Sequence, residues 1–200
     1  MASSAHFYLN WANERINEMD AVLTSLEDKA ARVTADSRAA ADKIIADLRT
    51  TRDSFSSEMK QKTEASESTW LQAKTKLETD WNAFQADVKK YVEQFGQQAK
   101  QQQATFEETA AAQLKAWRGA ADKMQADSAA FATDRRAAVD AALQQMRTGA
   151  SAAEANFQKL AKAGTQSWTA LTEALADSRA AFDKANQVAS DAFKRARSGT

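Results

Sequence analysis

The stretch Trp70-Leu-Gln-Ala-Lys-Thr-Lys-Leu77-Glu-Thr-Asp-Trp81-Asn-Ala-Phe84-Gln-Ala-Asp-Val88-Lys-Lys-Tyr91-Val92-Glu-Gln-Phe95 decides the fold class. Leu77 and Val88 stand eleven residues apart, as do Trp70 and Trp81, which lead on to Val92. Phe84 and Phe95 start a third row that continues to Phe106 and Trp117. Eleven residues in three turns is about 3.67 per turn, close to the relaxed α-helix. At roughly 98° per residue the three rows fall within about 33° of one line. They form a narrow apolar stripe on a nearly straight helix. A strand, whose side chains alternate with a period of two, cannot produce it.

The rows extend outward in both directions. Trp11, Val22, Val33, Ile44 and Phe55 precede Leu77, with Ser66 as the interruption, and Ala99, Ala110 and Ala121 follow Val88. Leu26, Leu48 and Met59 precede Trp70, and Leu114 resumes that row later. Beyond Phe131 the design returns one residue out of step: Met146, Phe157 and Trp168 form one row, and Leu160, Leu171, Phe182 and Phe193 another. The slip falls between Trp117 and Phe131. Gly119 lies there and Gly149 follows, so both are candidate helix breaks. The spacing therefore predicts an all-α, elongated molecule: one long helix, or a helical hairpin, with a hendecad coiled-coil stripe. Residues 1–118 carry the first frame and 119–200 the shifted one. A hairpin turning near Gly119 would set Trp70 opposite Trp168 and Trp81 opposite Phe157.

Composition agrees with helix. Alanine occurs 46 times among 200 residues, and proline, the strongest helix breaker, is absent. Leu, Ile, Val and Phe together number 29, too few for a thick core, which favours a thin seam along extended helix. The stripe must be covered, because wet apolar surface costs about 25 cal/mol per Å².

The same arithmetic restricts function. There is no cysteine, which excludes thiolate metal sites and Cys nucleophiles, and one histidine, His6, which argues against a His-based metal site or a Ser-His-Asp relay. The 27 basic and 27 acidic residues balance, which argues against nucleic acid as a partner. No phosphate loop, His-Glu-x-x-His or calcium loop occurs, so no enzyme, cofactor or metal is expected. The N-terminus lacks a secretory signal pattern and no apolar run reaches membrane-spanning length, which predicts a cytoplasmic chain.

Charge beside the stripe points to what covers it. One flank holds Glu14, Asp36, Asp47, Glu58 and Asp80; the other holds Arg52, Lys74 and Arg118 against Glu107. Unlike flanks meet in a parallel helix pair, so the leading expectation is a structural or scaffolding protein that self-associates as a homo-oligomeric coiled coil. Its helix-contact core is Phe55, Trp70, Trp81, Phe84, Phe95, Phe106, Trp117, Phe157 and Trp168, with Glu14, Asp36, Asp47 and Glu58 setting orientation. The alternative is a peripheral coat on a lipid or hydrophobic-polymer surface. A third reading is an adaptor that docks a partner through Phe7 to Trp11. The row Phe84, Phe95, Phe106, Trp117 resembles the repeats of exchangeable apolipoproteins, and Ala180-Ala-Phe-Asp-Lys-Ala-Asn-Gln-Val-Ala-Ser-Asp-Ala-Phe193 is similar to phasins, proteins that coat polyester granules. That resemblance implies the coat function and transfers no individual residue role.

Overall fold

The computed structural model describes residues 5–62, 67–95, 99–163 and 167–198. They form six α-helices and, among the described residues, no strand: α1 (Ala5–Ala30), α2 (Ala35–Gln61), α3 (Glu67–Phe95), α4 (Ala99–Ser128), α5 (Thr133–Ala163) and α6 (Trp168–Ser198). The side chain of His6, and Ser66, Gln97 and Gln98, lie outside the described residues.

The expectation of one long helix or a hairpin is corrected: the chain is a multi-helix bundle that runs up and down through its successive helices. Neither proposed break is used, for Gly119 lies inside α4 and Gly149 inside α5. The division at 118/119 likewise falls within α4. The frame slip between Trp117 and Phe131 coincides instead with the link at 129–132. The rows survive the links because of their spacing. Helices start at 5, 35, 67, 99, 133 and 168, so each helix with its link takes close to three hendecads, or 33 residues. Positions 33, 66, 99 and 132 of the first row accordingly fall in or beside links. A row that looked continuous is a set of separate inward faces in register.

The links close without proline. After α1, the Arg32 and Val33 amides donate to the Lys29 and Ala30 carbonyls at 2.9 and 3.2 Å, and the Arg38 guanidinium reaches back to the Ala31 carbonyl at 2.7 Å. After α4, the Phe131 amide donates to the Ser128 carbonyl at 3.0 Å. Ser167 caps α6, its Oγ accepting the Ala170 amide at 3.3 Å.

Cross-helix pairs fix the directions. Trp11 meets Phe55 with ring centroids 6.1 Å apart, and Arg52 Nε donates to Asp20 at 2.6 Å, so α2 is antiparallel to α1. Tyr8 stacks on Trp70, and Tyr91 Oη reaches the Leu26 carbonyl, so α3 is parallel to it. Phe106 against Phe157 and Arg118 against Glu154 make α4 and α5 antiparallel. Trp117 against Phe182, with Gln113 bonded to the Leu175 carbonyl, makes α4 and α6 parallel.

Helices α1–α3 and α4–α6 form two three-helix units that share α1 as their junction, and the packing of α1 on α4 is the most extensive between any two helices. Their cores differ in weight. Of the 20 buried residues in the α1–α3 cluster, three are alanine, and Trp70, Phe55, Phe84, Leu48 and Leu77 fill its centre. In the larger cluster of the α4–α6 unit, alanine makes up half of 16 residues, around Trp117, Met124, Leu143 and Phe182. A buried Leu or Phe contributes about 1.5–3 kcal/mol against far less for alanine, so this cluster is held more lightly, while Phe106, Leu114, Phe157, Leu171 and Leu175 form a separate, heavier cluster of the same three helices. Helix α1 is covered on two sides. Leu9, Ile16 and Leu23, which lie off the stripe, are buried with it in the first core.

Candidate functional site

The face that α1 turns to α4 and α6 is polar. Asn10, Glu14, Arg15, Glu18 and Ser25 are buried there, opposite Thr105, Thr109 and Gln113 of α4 and Ser178, Arg179 and Asn186 of α6. Glu14 and Glu18 sit one turn apart, and Arg179 and Asp183 do the same on α6, so each helix offers an acid and a base or two acids to the other.

The Arg15 guanidinium grips Asp183 with a fork, Nη1 to Oδ1 at 3.0 Å and Nη2 to Oδ2 at 2.7 Å, and Nη1 also donates to Glu14 Oε2 at 2.5 Å. Arg179 Nη1 donates to Glu18 Oε1 at 2.6 Å, and Gln113 Nε2 donates to Glu18 Oε2 at 2.9 Å. The Trp81 indole lies between both cations, with Arg15 Cζ 5.9 Å and Arg179 Cζ 5.2 Å from its ring centre. Farther along, Ser25 Oγ and Thr105 Oγ1 share a hydrogen bond of 2.9 Å, and Lys29 donates to both hydroxyls.

Burial dominates the electrostatics. Desolvation pushes the Glu14 carboxyl from 4.5 up to about 8, against the pull of Arg15, so it is largely protonated at neutral pH. Burial also raises Glu18, against Arg179 and the Gln113 hydrogen bond. With Glu14 neutral, two cations face two anions. Several polar atoms along this seam are buried without a protein hydrogen-bond partner: Asn10 Nδ2, Glu14 Oε1, Arg15 Nε, Gln113 Oε1, Ser178 Oγ and Asn186 Oδ1. Each such atom costs about 1–3 kcal/mol relative to a satisfied one. A buried ion cluster of this kind is weak cement, since desolvation offsets most of the Coulomb attraction.

Beside the cluster a groove of about 720 Å³ runs between α3 and α6 over a floor from α1 and α4. Val22, Phe84, Val88, Val92, Trp168 and Leu175 line its apolar length, and Glu18, Trp81 and Arg179 lie at its inner end. Among the described residues no group of His, Cys, Asp or Glu is arranged to hold a metal ion, and no helix is long and apolar enough to cross a membrane.

The residues singled out from sequence are placed as follows. Phe55, Trp70, Trp81 and Phe84 are buried in the α1–α3 core, with Phe95 half-buried against it. Phe106 and Phe157 meet edge-on in the second unit, Trp117 is buried in it, and Trp168 is half-buried against both units. The expected pairing of Trp70 with Trp168 and of Trp81 with Phe157 gives way to Tyr8 on Trp70 and Phe106 on Phe157. Glu14 is not a flank charge but buried; Asp36 and Asp47 are exposed, and Glu58 faces Lys62 at 3.7 Å within its own helix. Sequence reasoning missed Arg15, Glu18, Gln113, Arg179 and Asp183. The available signal was charge inside the stripe itself: Arg15 stands eleven residues before Leu26 and Glu18 six hendecads before Phe84, on rows that are otherwise largely apolar.

Compared with known proteins, the chain matches no family model, no curated protein and no solved structure.

Proposed function

We propose that this protein is a non-catalytic coat for an apolar surface, lipid or hydrophobic polymer, which keeps its hendecad stripe inside the bundle in water and turns it to the surface on binding. The observation that carries this reading is the polar, under-satisfied seam joining the α1–α3 unit to a three-helix unit whose larger core cluster is half alanine. The seam parts first, because hydrating Glu14, Arg15, Glu18 and Arg179 compensates for breaking their buried ion pairs. The α4–α6 unit then opens, starting from its larger core cluster, half of which is alanine. Balanced charge, 27 against 27, favours neutral surfaces over anionic headgroups.

Scaffolding by coiled-coil self-association is the second reading. It needs the stripe on the outside, whereas the stripe is engaged within one chain and Leu71 is the single exposed large hydrophobic among the described residues. The hendecad seam then serves helices of the same chain.

Vesicles of brominated phosphatidylcholine test the coat reading. Tryptophan fluorescence should be quenched as the indoles enter the acyl region, while far-ultraviolet circular dichroism stays helical. Unquenched fluorescence on the vesicles together with no co-sedimentation with polyester particles would overturn it.

A further inference from the structure

The groove between α3 and α6 has a chemistry of its own, independent of surface binding. Arg179 is only 8% exposed, yet it lines the cavity. Its guanidinium carries five N–H donors, and the hydrogen bond from Nη1 to Glu18 is the one it makes among the described residues. The cavity beside it mixes an apolar length with polar lining residues, among them Gln85, Lys89, Glu93, Thr172 and Glu173. Arg15, one turn of the same seam away, is more fully engaged: its guanidinium bonds both the Glu14 carboxyl and the Asp183 carboxylate. Arg179 has one carboxylate and room for a second.

The trough fits an elongated occupant. On α3 its wall runs from Trp81 to Val92, eleven residues and so about 16 Å of helix. The opposite wall runs from Trp168 to Arg179 on α6. The volume of about 720 Å³ lies in the range of small-molecule sites. We infer that the groove binds a long-chain aliphatic monocarboxylate, its carboxylate taken by the Arg179 fork beside Trp81 and its chain laid along Val22, Phe84, Val88 and Val92 toward Trp168. An arginine fork matches a carboxylate in plane and in charge, which a neutral or cationic head does not.

The test uses the full chain and sodium laurate below its micelle-forming concentration, with titration calorimetry as readout and no vesicles present. Laurate should bind saturably at one site, and dodecanol and dodecyltrimethylammonium at least about tenfold more weakly, as expected for loss of a charge-assisted pair. The double variant Glu18→Gln/Arg179→Gln keeps the buried charge balanced and should weaken laurate by a similar factor. Thr172→Trp, on the half-buried α6 wall, should block the trough without touching Arg179, and it decides the matter if the double variant does not fold. Equal binding of all three amphiphiles, non-saturable uptake, or undiminished laurate binding to Thr172→Trp would each overturn the assignment. Because no surface is present, a failure here leaves the coat reading standing, and the reverse also holds.

Discussion

Gly149 of α5 packs against the indole of Trp117 of α4: a β-carbon at position 149 would stand 2.7 Å from Cζ2 of that ring. Trp117 is 1% exposed and also meets Phe182 edge-on with centroids 5.5 Å apart, a contact that any shift of the ring would disturb. Gly149→Ala should therefore destabilise by about 1–3 kcal/mol despite the gain in helix propensity. Gly119, on α4, has nothing within 4 Å of the same construction. Gly119→Ala should stabilise by up to about 1 kcal/mol. Thermal melts of the two variants, read at about 2–4 °C per kcal/mol, should move in opposite directions.

Stability should fall as pH rises across the neutral range. Glu14 has its folded-state value raised to about 8 from 4.5 by burial, so the folded protein holds its proton more tightly than the unfolded chain. That contribution is complete below about 4.5, shrinks as pH rises, and is gone above about 8. Burial shifts Glu18 in the same direction. Glu14→Gln should flatten this part of the profile and stabilise the protein by about 3–4 kcal/mol at pH 8, with less than about 1 kcal/mol at pH 5. Urea denaturation at the two pH values checks it; a parallel shift at both would contradict the protonation argument.

Trp70→Ala and Phe55→Ala should each cost about 3–5 kcal/mol, because both side chains are fully buried inside one chain. The mass by light scattering should be unchanged by either substitution. A lower mass for the variants would mean that these rings hold copies together, as the scaffold reading requires.

The chain has no cysteine, so a covalent clasp can be added across the seam. Ser25→Cys with Thr105→Cys replaces hydroxyls that stand 2.9 Å apart on α1 and α4. The oxidised protein should lose quenching by brominated lipid, and reduction should restore it. Equal quenching in both states would show that the units stay docked when the surface is covered.

How far the sequence could be read is plain at the stripe and at the links. The eleven-residue period placed Trp70, Phe84, Phe106 and Trp117 on inward faces, and all four are buried. It could not place the links. Val33-Thr34 and Ala129 to Ala132 contain neither Pro nor Gly; the period runs undisturbed across the first and slips by one residue at the second. The glycines that did attract attention serve packing, or nothing visible, inside helices.

The buried charges show the same division more sharply. Ala35-Asp-Ser-Arg-Ala-Ala-Ala-Asp-Lys43 and Ala176-Asp-Ser-Arg-Ala-Ala-Phe-Asp-Lys184 differ at one position in nine. In the first, Arg38 is exposed and closes the link after α1; in the second, Arg179 is buried between Trp81 and Glu18. Helix propensity and period act within a turn or two of the chain, and they determined that both segments are helical and which residues share a face. Whether a face meets water, an indole or a carboxylate depends on the helix lying opposite, and that neighbour comes from a distant part of the chain. Only the tertiary arrangement therefore turned Glu14, Glu18 and Arg179 from ordinary surface residues into the seam on which the functional reading rests.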